Sequence, residues 1–373
     1  MRVVAPCGIA MEECVFCYNY TIDMAIPLLI SNLINIRYLT GVQMTFGLMI
    51  MSGKRRMLFV DSRYTEKAKQ ACFSGTTVRS IDDLERHLKR CKKMRFEAED
   101  VSVARLGRWK KKYRWIRFVP SAGVVEEMRR SKNKEEIRAI RRACKITDEV
   151  MMLIPSLLRI RNITEKRLAW EIEKLSRELG AESMAFDTIV GFGDHTSRPH
   201  HSPTNRKLKK RDIVQIDMGV KVDGYCSDCS RVFFVGESTE EQRNIFDLLI
   251  KTVKETTKQV KDGVTNHALD RYARTMLRRG APLGRPGEKI MILTSGKNLD
   301  TLFTHGLGHG VGLEIHEGMS LSKRAAKQTL KTNEIITIEP GVYLEGKWGM
   351  RIEDTILVTK NGHTRLTKAP FLL

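Results

Sequence analysis

The sequence predicts an α+β protein in which a smaller α/β domain precedes a larger domain. In the first third of the chain, short apolar runs typical of strands alternate with helical patterns. In the remainder, long amphipathic helices accompany a β-hairpin that carries acidic residues on otherwise apolar strands. A length of 373 residues suits two domains and a sizeable core. We expect the domains at residues 1–130 and 131–373.

The N-terminal domain is predicted to hold a small, mostly covered sheet, because its strands are apolar and alternate with helices. The predicted elements are strands at residues 26–31, 46–51, 55–60, 94–97 and 118–119, and helices at residues 64–72 and 81–91.

The composition favours a cytoplasmic protein without membrane spans. The sequence has no run of eighteen uninterrupted apolar residues, and Glu12 and Glu13 interrupt the N-terminus too early for a cleavable signal peptide. Its eight cysteines are too sparse for a disulfide scaffold. Cys7, Cys14 and Cys17 include one Cys-x-x-Cys pair, which alone is a weak zinc or redox signal, so we expect reduced thiols.

The net charge of +21 raises the question of a nucleic-acid partner. Basic residues cluster at residues 87–95, 108–117 and 207–211. These clusters are scattered along the chain, and no recognition helix or zinc finger accompanies them. We therefore interpret them as solvated surface and expect no nucleic-acid partner.

Amphipathic helices are predicted at the start of the larger domain and again after the hairpin. From residue 133, apolar residues recur at helical spacing and charged residues fill the opposite face. Pro155 is expected to bend or end this helix, and Thr164 to cap the next one. The remaining predicted elements are a strand at residues 186–190, helices at residues 164–179, 240–260 and 266–279, and a loop at residues 280–299.

Residues 212–235 predict a β-hairpin around which the larger domain is organised. Asp223-Gly224 is a strong two-residue turn that sets the register of the two strands. In that register, Asp217 and Asp228 are diagonal cross-strand neighbours within roughly 8 Å. Two carboxylates on one apolar hairpin repel each other and lose hydration, and a cation between them removes both penalties. A lone hairpin would favour solvated acids, so a metal site requires further ligands.

Three histidines and two glutamates later in the chain supply candidate ligands. A glycine-rich stretch holds His305, His309 and His316, and its glycines favour close backbone approach over a stable helix. Glu339 and Glu353 lie in apolar runs typical of strands, where an isolated carboxylate is costly unless it is paired or metal-bound. Each residue alone would be a core histidine or an edge-strand acid. Together with the two aspartates, they predict a metal site.

Five motifs follow one another in the larger domain: DMG at 217–219, DGYCSD at 223–228, HGLGHGVGLEIHE at 305–317, IEPGVY at 338–343 and RIED at 351–354. Their order resembles that of the pita-bread metallopeptidases, which include aminopeptidase P, prolidase, methionine aminopeptidase and the creatinase-type amidinohydrolases. In the first domain, NIRYLTG at 35–41 and FVDSRY at 59–64 resemble the creatinase-type N-terminal domain. The resemblance implies a C-terminal pita-bread fold preceded by a smaller creatinase-like α/β domain.

The resemblance also implies a centre of two divalent metal ions. Asp228 and Glu353 would bridge the two ions, Asp217 would complete one of them, and His309 with Glu339 would complete the other. Four carboxylates among five ligands suit Mn²⁺, and Co²⁺, Zn²⁺ or Fe²⁺ could substitute. Two cations can hold a bridging water as hydroxide at neutral pH.

Other residues match family positions that act on the substrate. His200 resembles the histidine that stabilises the tetrahedral intermediate, and the adjacent His201 is an alternative for that role. His316 resembles the histidine that contacts the substrate carbonyl, and Arg351 resembles the arginine of Xaa-Pro members. Glu339 is also expected to carry a proton to the leaving nitrogen. The run GDHTSRPHH departs from the usual Asn-Ser-containing run, which leaves recognition of the substrate end open.

The favoured function is a metal-dependent exopeptidase that cleaves the bond between an N-terminal residue and a following proline. Aminopeptidase P and prolidase share the named ligands, so both remain open. A dipeptidase would have to capture a free carboxylate, for which Arg351 is one candidate. A homodimer or homotetramer is expected.

Two alternatives to an Xaa-Pro peptidase remain. Methionine aminopeptidase is the alternative enzyme, although that branch usually lacks the separate N-terminal domain and an arginine at position 351. A non-catalytic pita-bread binding protein is the alternative outside enzymes. The charge of +21 mildly favours it, and the five intact ligands count against it.

Overall fold

A computed structural model describes residues 26–279 and 298–371 of the protein. The chain divides into two compact units, Met1–Met128 and Arg129–Leu373. The three cysteines predicted to be reduced, Cys7, Cys14 and Cys17, lie outside the described residues, as does most of the predicted loop at residues 280–299. Among the described residues, no helix is both long enough and apolar enough to cross a membrane.

Strands and helices alternate in the N-terminal unit, as the sequence predicts. The described elements are β1 (Leu28–Ile30), α1 (Leu33–Thr40), β2 (Leu48–Ser52), β3 (Arg55–Val60), α2 (Ser62–Ala71), β4 (Thr76–Ser80), α3 (Leu84–Leu88), β5 (Lys93–Glu97), α4 (Val103–Lys112), β6 (Arg117–Ser121) and α5 (Val124–Arg130). The strands form one sheet in the order β4-β3-β2-β1-β5-β6. The pairs β1–β2 and β2–β3 are antiparallel, and the other pairs are parallel.

Both faces of this sheet are buried, because successive residues of its inner strands enter different cores. Leu28 and Ile30 of β1 pack in one core with Ile36 of α1, whereas Leu29 packs in the other core with Leu84 of α3. Strands that are buried on both faces have near-continuous apolar sequences. The prediction of a mostly covered sheet is confirmed.

Four elements of this unit, α1, β4, α4 and α5, were not predicted. Helix α1 stands where a simple connection after β1 was expected, and Asn32 caps it by accepting hydrogen bonds from the amides of Ile34 and Asn35. Strand β4 and helix α4 contain no buried residue. Val78 of β4 and Leu106 and Trp109 of α4 pack against the cores while only partly buried, so the apolar signal of each element is short.

Two of the three basic clusters meet at one edge of the N-terminal sheet. Lys93 of β5 pairs with Arg117 of β6 in parallel register, and the Arg117 amide donates to the Lys92 carbonyl at 2.9 Å. The clusters at residues 87–95 and 108–117, which are separate along the chain, are therefore adjacent in space. Most of their Lys and Arg side chains are exposed. The absence of a nucleic-acid partner stays a prediction.

The larger unit contains the predicted long helices and a set of short strands. Its described elements are α6 (Lys134–Leu157), α7 (Glu165–Glu178), β7 (Ser183–Met184), β8 (Ile189–Phe192), β9 (Ile213–Met218), β10 (Val220–Val222), β11 (Tyr225–Cys226), β12 (Cys229–Phe234), α8 (Glu240–Lys258), α9 (Asn266–Arg279), α10 (Leu299–Leu302), β13 (Gly308–Gly310), β14 (Glu317–Leu321), β15 (Ile335–Ile338), β16 (Gly341–Leu344), β17 (Trp348–Arg351), β18 (Asp354–Thr359) and β19 (Gly362–Arg365). The described strands form sheets in the orders β11-β10-β7, β12-β9-β8, β14-β13-β15-β18-β19 and β16-β17.

Two pairs of helices pack against these sheets. One core lies between α6, α7 and the sheet β12-β9-β8, and another lies between α8, α9 and strands β15 to β18. Thr164 caps α7 as predicted, because its side chain accepts a hydrogen bond from the Arg167 amide. Helix α6 ends at Leu157, two residues after Pro155. Proline has no N–H to donate to the preceding turn, and the helix ends soon after it, as predicted.

The acidic hairpin has the register that its two-residue turn predicts. Val222 pairs with Tyr225, and Asp217 pairs with Ser230. Asp228 therefore lies two residues from the partner of Asp217 on the opposite strand. The predicted diagonal arrangement of the two carboxylates is confirmed.

The strands predicted to contain Glu339 and Glu353 are interrupted at these two residues. Glu339 follows β15 and precedes Pro340, and Glu353 lies between β17 and β18. Proline lacks the backbone N–H that a continuing strand would use. Both glutamates thus stand at the ends of strands, where the Glu339 amide donates to the Leu307 carbonyl at 2.8 Å and the Glu353 amide to the Ser230 carbonyl at 3.2 Å.

Candidate metal centre

The larger unit contains a cavity of about 580 Å³. Every site residue predicted from the sequence lines it: His200, Asp217, Asp228, His309, His316, Glu339, Arg351 and Glu353. His201 and His305 line the same cavity, together with apolar residues such as Phe186, Ile189 and Ile315. The fold therefore brings together predicted site residues that are separated by up to 153 positions in the sequence, from His200 to Glu353.

Paired strands hold the five predicted metal ligands. Asp217 is in β9, Asp228 precedes β12, His309 is in β13, Glu339 follows β15, and Glu353 precedes β18. Strands β9 and β12 pair with each other, and β15 pairs with both β13 and β18. Because Ile338 opposes Asp354 in the β15–β18 pair, the adjacent Glu339 and Glu353 emerge side by side.

Two glycines let the strand that carries His309 pass close to its neighbours. A Cβ atom at Gly308 would lie 2.1 Å from the Thr337 carbonyl oxygen, and one at Gly310 would lie 2.1 Å from the Glu317 carbonyl oxygen. Such distances are far inside van der Waals contact, so any larger residue would displace the strand. The predicted close backbone approach in this motif is confirmed.

The His309 imidazole is oriented as a metal ligand would be. Its Nδ1 lies 3.2 Å from the Gly310 carbonyl oxygen, so Nδ1 carries the proton and Nε2 keeps a free lone pair. Nε2 lies 3.4 Å from Asp228 Oδ2 and 3.5 Å from Glu339 Oε1. Burial, and then the neighbouring His316, lower the pKa of His309 to about 3, which keeps the ring neutral.

The carboxylates of this cluster carry more negative charge than the surrounding protein balances. Burial raises the pKa of Asp228 and of Glu353 well above the ordinary range, and neighbouring carboxylates raise both further. Burial also raises the pKa of Glu339 to about 8, although Arg351 opposes that shift. Ligand atoms of Asp228, His309 and Glu353 all lie within 4.8 Å of one another. Buried acids this close need either protons or cations.

Arg351 pairs with Asp217 and connects it to two further side chains. Its Nη2 lies 2.5 Å from Asp217 Oδ2, Nη1 donates to the Tyr343 hydroxyl at 2.8 Å, and Nε donates to Ser230 Oγ at 3.0 Å. Ser230 Oγ in turn donates to Glu353 Oε2 at 2.8 Å. The second Asp217 oxygen, Oδ1, is buried and has no hydrogen-bond partner among the described residues.

His305, one of the three histidines considered as candidate ligands, lines the cavity but belongs neither to the five-ligand set nor to the residues matched to the substrate. Its Nε2 lies 2.9 Å from the Tyr343 hydroxyl, and its Nδ1 lies 2.8 Å from the Gly306 carbonyl oxygen. Burial, and then Arg351, lower the pKa of His305 to about 3.

The remaining histidines differ in their access to the cavity. His200 and His316 are exposed at the cavity, where a substrate can reach them. The centroid of the His316 ring lies 4.2 Å from that of the His309 ring. His201 is buried, and its Nε2 lies 2.9 Å from a carboxylate oxygen of Glu165. This geometry favours His200 over His201 for contact with a substrate.

The donor set fits divalent metal ions. It combines four carboxylates with one neutral imidazole, and Asp217 offers a buried oxygen that no other described group uses. Oxygen-rich sets of this kind suit hard or borderline divalent cations. Cations would also relieve the repulsion that raises the pKa values of Asp228 and Glu353.

Removal of the metal ions is expected to make the protein less stable as the pH rises. In the metal-free protein the pKa of Glu339 is about 8, against an ordinary value of 4.5. Between these two values, the folded state holds a proton that the unfolded state has lost, so the free energy of unfolding decreases with pH. Above the higher value the full penalty remains. Bound cations take the place of the proton and remove this dependence.

The melting temperature of protein treated with EDTA should fall by several degrees between about pH 5 and about pH 8. With excess Mn²⁺, it should stay level or rise over the same interval. Differential scanning fluorimetry with and without EDTA at three pH values measures the difference. Parallel curves under the two conditions would contradict cation binding by these carboxylates.

The sequence matches the models of two protein families. Residues 138–360 match metallopeptidase family M24, and residues 25–131 match the creatinase/prolidase N-terminal domain.

Similar proteins extend along nearly the whole chain. The Xaa-Pro dipeptidase of Pyrococcus furiosus is 32% identical over 345 residues, which cover 91% of this chain and 92% of that protein. The structure of an Xaa-Pro dipeptidase from Bacillus anthracis has a TM-score of 0.85 and 29% identity, and the match covers 94% of this chain and 96% of that one. For an X-Pro aminopeptidase from Thermotoga maritima, the TM-score is 0.80 and the identity 32%, with coverage of 93% and 97%.

These matches confirm the fold that the motifs predicted. A creatinase-type N-terminal domain precedes a C-terminal pita-bread domain. With the family model matching most of the larger unit and a relative 32% identical along the chain, the protein belongs to metallopeptidase family M24.

Proposed function

We propose that this protein is a dinuclear-metal exopeptidase that hydrolyses the bond between an N-terminal residue and a following proline. The observation that carries the proposal is the cluster of four carboxylates and one neutral histidine around a single cavity. The printed names of similar proteins, Xaa-Pro dipeptidase and X-Pro aminopeptidase, support this substrate class. A cytoplasmic homodimer or homotetramer is part of the same proposal.

The proposed metal assignment follows the ligand set. Asp228 and Glu353 would be shared by two ions, Asp217 would complete the ligands of one, and His309 with Glu339 would complete those of the other. The grouping of Asp228, His309 and Glu353 within 4.8 Å supports this assignment. We assign Mn²⁺, because carboxylates suit harder divalent cations. Bound ions would lower the pKa of a water and polarise the scissile carbonyl.

The two oxygens of Glu339 face different neighbours, and this supports two roles for the residue. Oε1 lies 3.5 Å from His309 Nε2, on the side of the metal ligands. Oε2 lies 3.9 Å from His305 Nδ1 and 4.0 Å from Arg351 Nε. In the proposed mechanism, Oε2 takes a proton from the attacking water and passes it to the prolyl nitrogen, which leaves poorly unless it is protonated.

Two exposed histidines of the cavity are assigned to the substrate. His316 contacts the carbonyl of the substrate, and His200 donates a hydrogen bond to the oxygen that becomes negative in the tetrahedral intermediate. A donor placed at a developing negative charge acts most strongly where water is excluded. The exposure of both side chains at the cavity supports this assignment.

Arg351 has a positioning role in this proposal. Its guanidinium bonds to Asp217, Tyr343, Ser230 and the Pro199 carbonyl, and its side chain is only 3% exposed. The capture of a dipeptide carboxylate by Arg351, considered from the sequence, lacks support in this geometry because all three guanidinium nitrogens are already bonded. In the proposed mechanism Arg351 orients Asp217.

A comparison of three peptides tests the proposed substrate class. With Mn²⁺ present, the protein should cleave an Xaa-Pro dipeptide, an Xaa-Pro-Yaa tripeptide or both, and should leave a Met-Ala peptide intact. Matched peptides with alanine in place of proline serve as controls, and amino-acid analysis identifies the released residue. Release of methionine without any prolyl activity would replace this proposal with methionine aminopeptidase. No cleavage by protein shown to hold two metal ions would favour a binding protein.

A further inference from the structure

A second group of ionisable side chains lies outside the metal ligands and has no role in the mechanism above. Its centre is Glu165, the first residue of α7, whose side chain is fully buried. Glu165 Oε1 accepts hydrogen bonds from the Phe192 amide at 2.9 Å and from His195 Nδ1 at 2.8 Å. Oε2 accepts from His201 Nε2 at 2.9 Å and from the Thr204 amide at 2.9 Å and hydroxyl at 2.6 Å.

All five donors come from one short segment, residues 192–204. This segment begins at the last residue of β8 and has little further regular structure apart from a short 3-10 turn at Gly193–Ser197. A segment with few backbone ladder bonds depends on side chains to hold its conformation. Burial alone would raise the pKa of Glu165, but hydrogen bonds from His201 and Thr204 lower it to about 2. Glu165 is therefore an ionised acceptor.

His200 lies within this segment, and both of its chain neighbours are fixed. The Pro199 carbonyl accepts a hydrogen bond from Arg351 Nη1 at 3.2 Å, and the His201 ring donates to Glu165. In the part of the chain that the structure describes, no group hydrogen-bonds the His200 imidazole itself. The direction in which His200 enters the cavity thus depends on how its two neighbours are held.

We propose that Glu165 is a positioning residue that sets the conformation of residues 192–204 and thereby aims His200 into the cavity. The proposal rests on the proposed function, in which His200 contacts the substrate. It assigns Glu165 to the chemistry although its side chain does not line the cavity. A carboxylate that accepts five hydrogen bonds from one loop restricts that loop more than any single contact would.

A metal site formed by Glu165, His195 and His201 is the competing interpretation, since their ligand atoms lie within 4.8 Å of one another. The nitrogen–oxygen distances of 2.8 and 2.9 Å are those of hydrogen bonds. Each carboxylate oxygen also accepts a backbone amide, which occupies lone pairs that a metal would need. The geometry therefore favours a hydrogen-bonded cluster.

Glu165→Gln tests the proposal, because glutamine keeps the shape but turns an N–H donor toward the loop. Turnover of the Xaa-Pro substrate should fall by about 10–100-fold with little change in KM, and two metal ions per chain should remain. In a His200→Ala background, the same substitution should have little further effect on turnover. A role in stability alone would leave the two effects additive, and that result would overturn the proposal.

Glu136→Gln is a matched control in the same unit. Glu136 is also a buried acid in the first turn of a helix, and it accepts hydrogen bonds from the Asn133 amide and the Tyr225 hydroxyl. It does not line the cavity. This variant should lower the melting temperature and leave kcat and KM unchanged.

Thr204 provides a milder test if Glu165→Gln does not fold. Thr204→Val keeps the amide bond to Glu165, removes the hydroxyl bond at 2.6 Å together with the acceptor of the Arg206 amide at 3.1 Å, and should lower turnover in the same direction by a smaller factor. Thr204→Ser keeps the hydroxyl and should behave as wild type. Equal turnover in the valine and serine variants would overturn the proposal.

Hydrogen exchange separates a failure of this inference from a failure of the proposed function. Measured by mass spectrometry, exchange in Glu165→Gln should increase in peptides covering residues 192–204 and stay unchanged elsewhere, whatever the substrate is. Unchanged exchange there, or a third metal ion that wild type holds and the variant loses, would overturn the inference. If no Xaa-Pro peptide is cleaved but this local change occurs, only the assigned reaction fails.

Discussion

Asp228→Asn is expected to abolish hydrolysis and to empty the metal centre. Asp228 is 3% exposed and lies within 4.8 Å of the ligand atoms of both His309 and Glu353. Asparagine has the same size but brings no negative charge to a site built around cations. Mutation of a residue that only contacts a metal ligand typically lowers metal affinity or activity by about 10–100-fold. Loss of a bridging ligand should therefore lower turnover by more than about 100-fold. Metal content measured by plasma mass spectrometry should fall together with activity.

Asp223→Asn is the control for this experiment. Asp223 is on the same hairpin, but it is an exposed turn residue with positive φ, which asparagine tolerates. Its partner is the exposed Arg142, so its loss should cost no more than about 1 kcal/mol of stability. Activity and metal content should match wild type. Two metal ions and normal turnover in Asp228→Asn would refute the proposed ligand set.

Arg231→Met is expected to cause the largest loss of stability. The Arg231 side chain is fully buried and donates to Asp354 Oδ1 at 2.8 Å. It also donates to the carbonyls of Ser230, Glu353, Ala369 and Pro370. Methionine fills similar space but leaves a buried carboxylate and several carbonyls without this donor. Breaking a buried pair in this way costs about 3–5 kcal/mol, which corresponds to a fall of roughly 10 °C in melting temperature.

Arg365→Ala provides the contrast, because Arg365 contacts the other oxygen of the same aspartate. Its Nε lies 3.3 Å from Asp354 Oδ2, but its side chain is 34% exposed. Solvent screens such a pair, and its removal should cost about 1 kcal/mol or less. Thermal melting of both variants with metal bound measures the difference. Equal losses would show that burial does not control the strength of these pairs.

The hairpin and the metal ligands could be predicted because their signals are local. An Asp-Gly turn sets the register of the two strands that it joins. An acidic residue in an apolar strand indicates a paired or metal-bound carboxylate without knowledge of the rest of the fold. The fold class followed from the same patterns, with the motif order identifying the pita-bread domain. The end of each strand was harder to predict, since Glu339 and Glu353 interrupt strands that look continuous in apolar pattern.

Side-chain partners that are far apart in the sequence could not be predicted from it. The pairing of Arg351 with Asp217 joins residues 134 positions apart, and no local sequence pattern predicts it. Glu165 looked like an ordinary acid in the first turn of a helix, where such residues are common. Only the fold shows that its carboxylate turns inward and holds the segment that carries His200.

The glycines beside His309 have a consequence for how this site can vary. Their neighbours leave no room for even a methyl group, since both Cβ positions lie 2.1 Å from a carbonyl oxygen. Positions 308 and 310 are thus as intolerant of substitution as the histidine between them, although neither glycine has a functional group. Substitution of either glycine would abolish activity although every metal ligand remained in the sequence. Inactive descendants of such a protein therefore need not have lost any recognisable site residue.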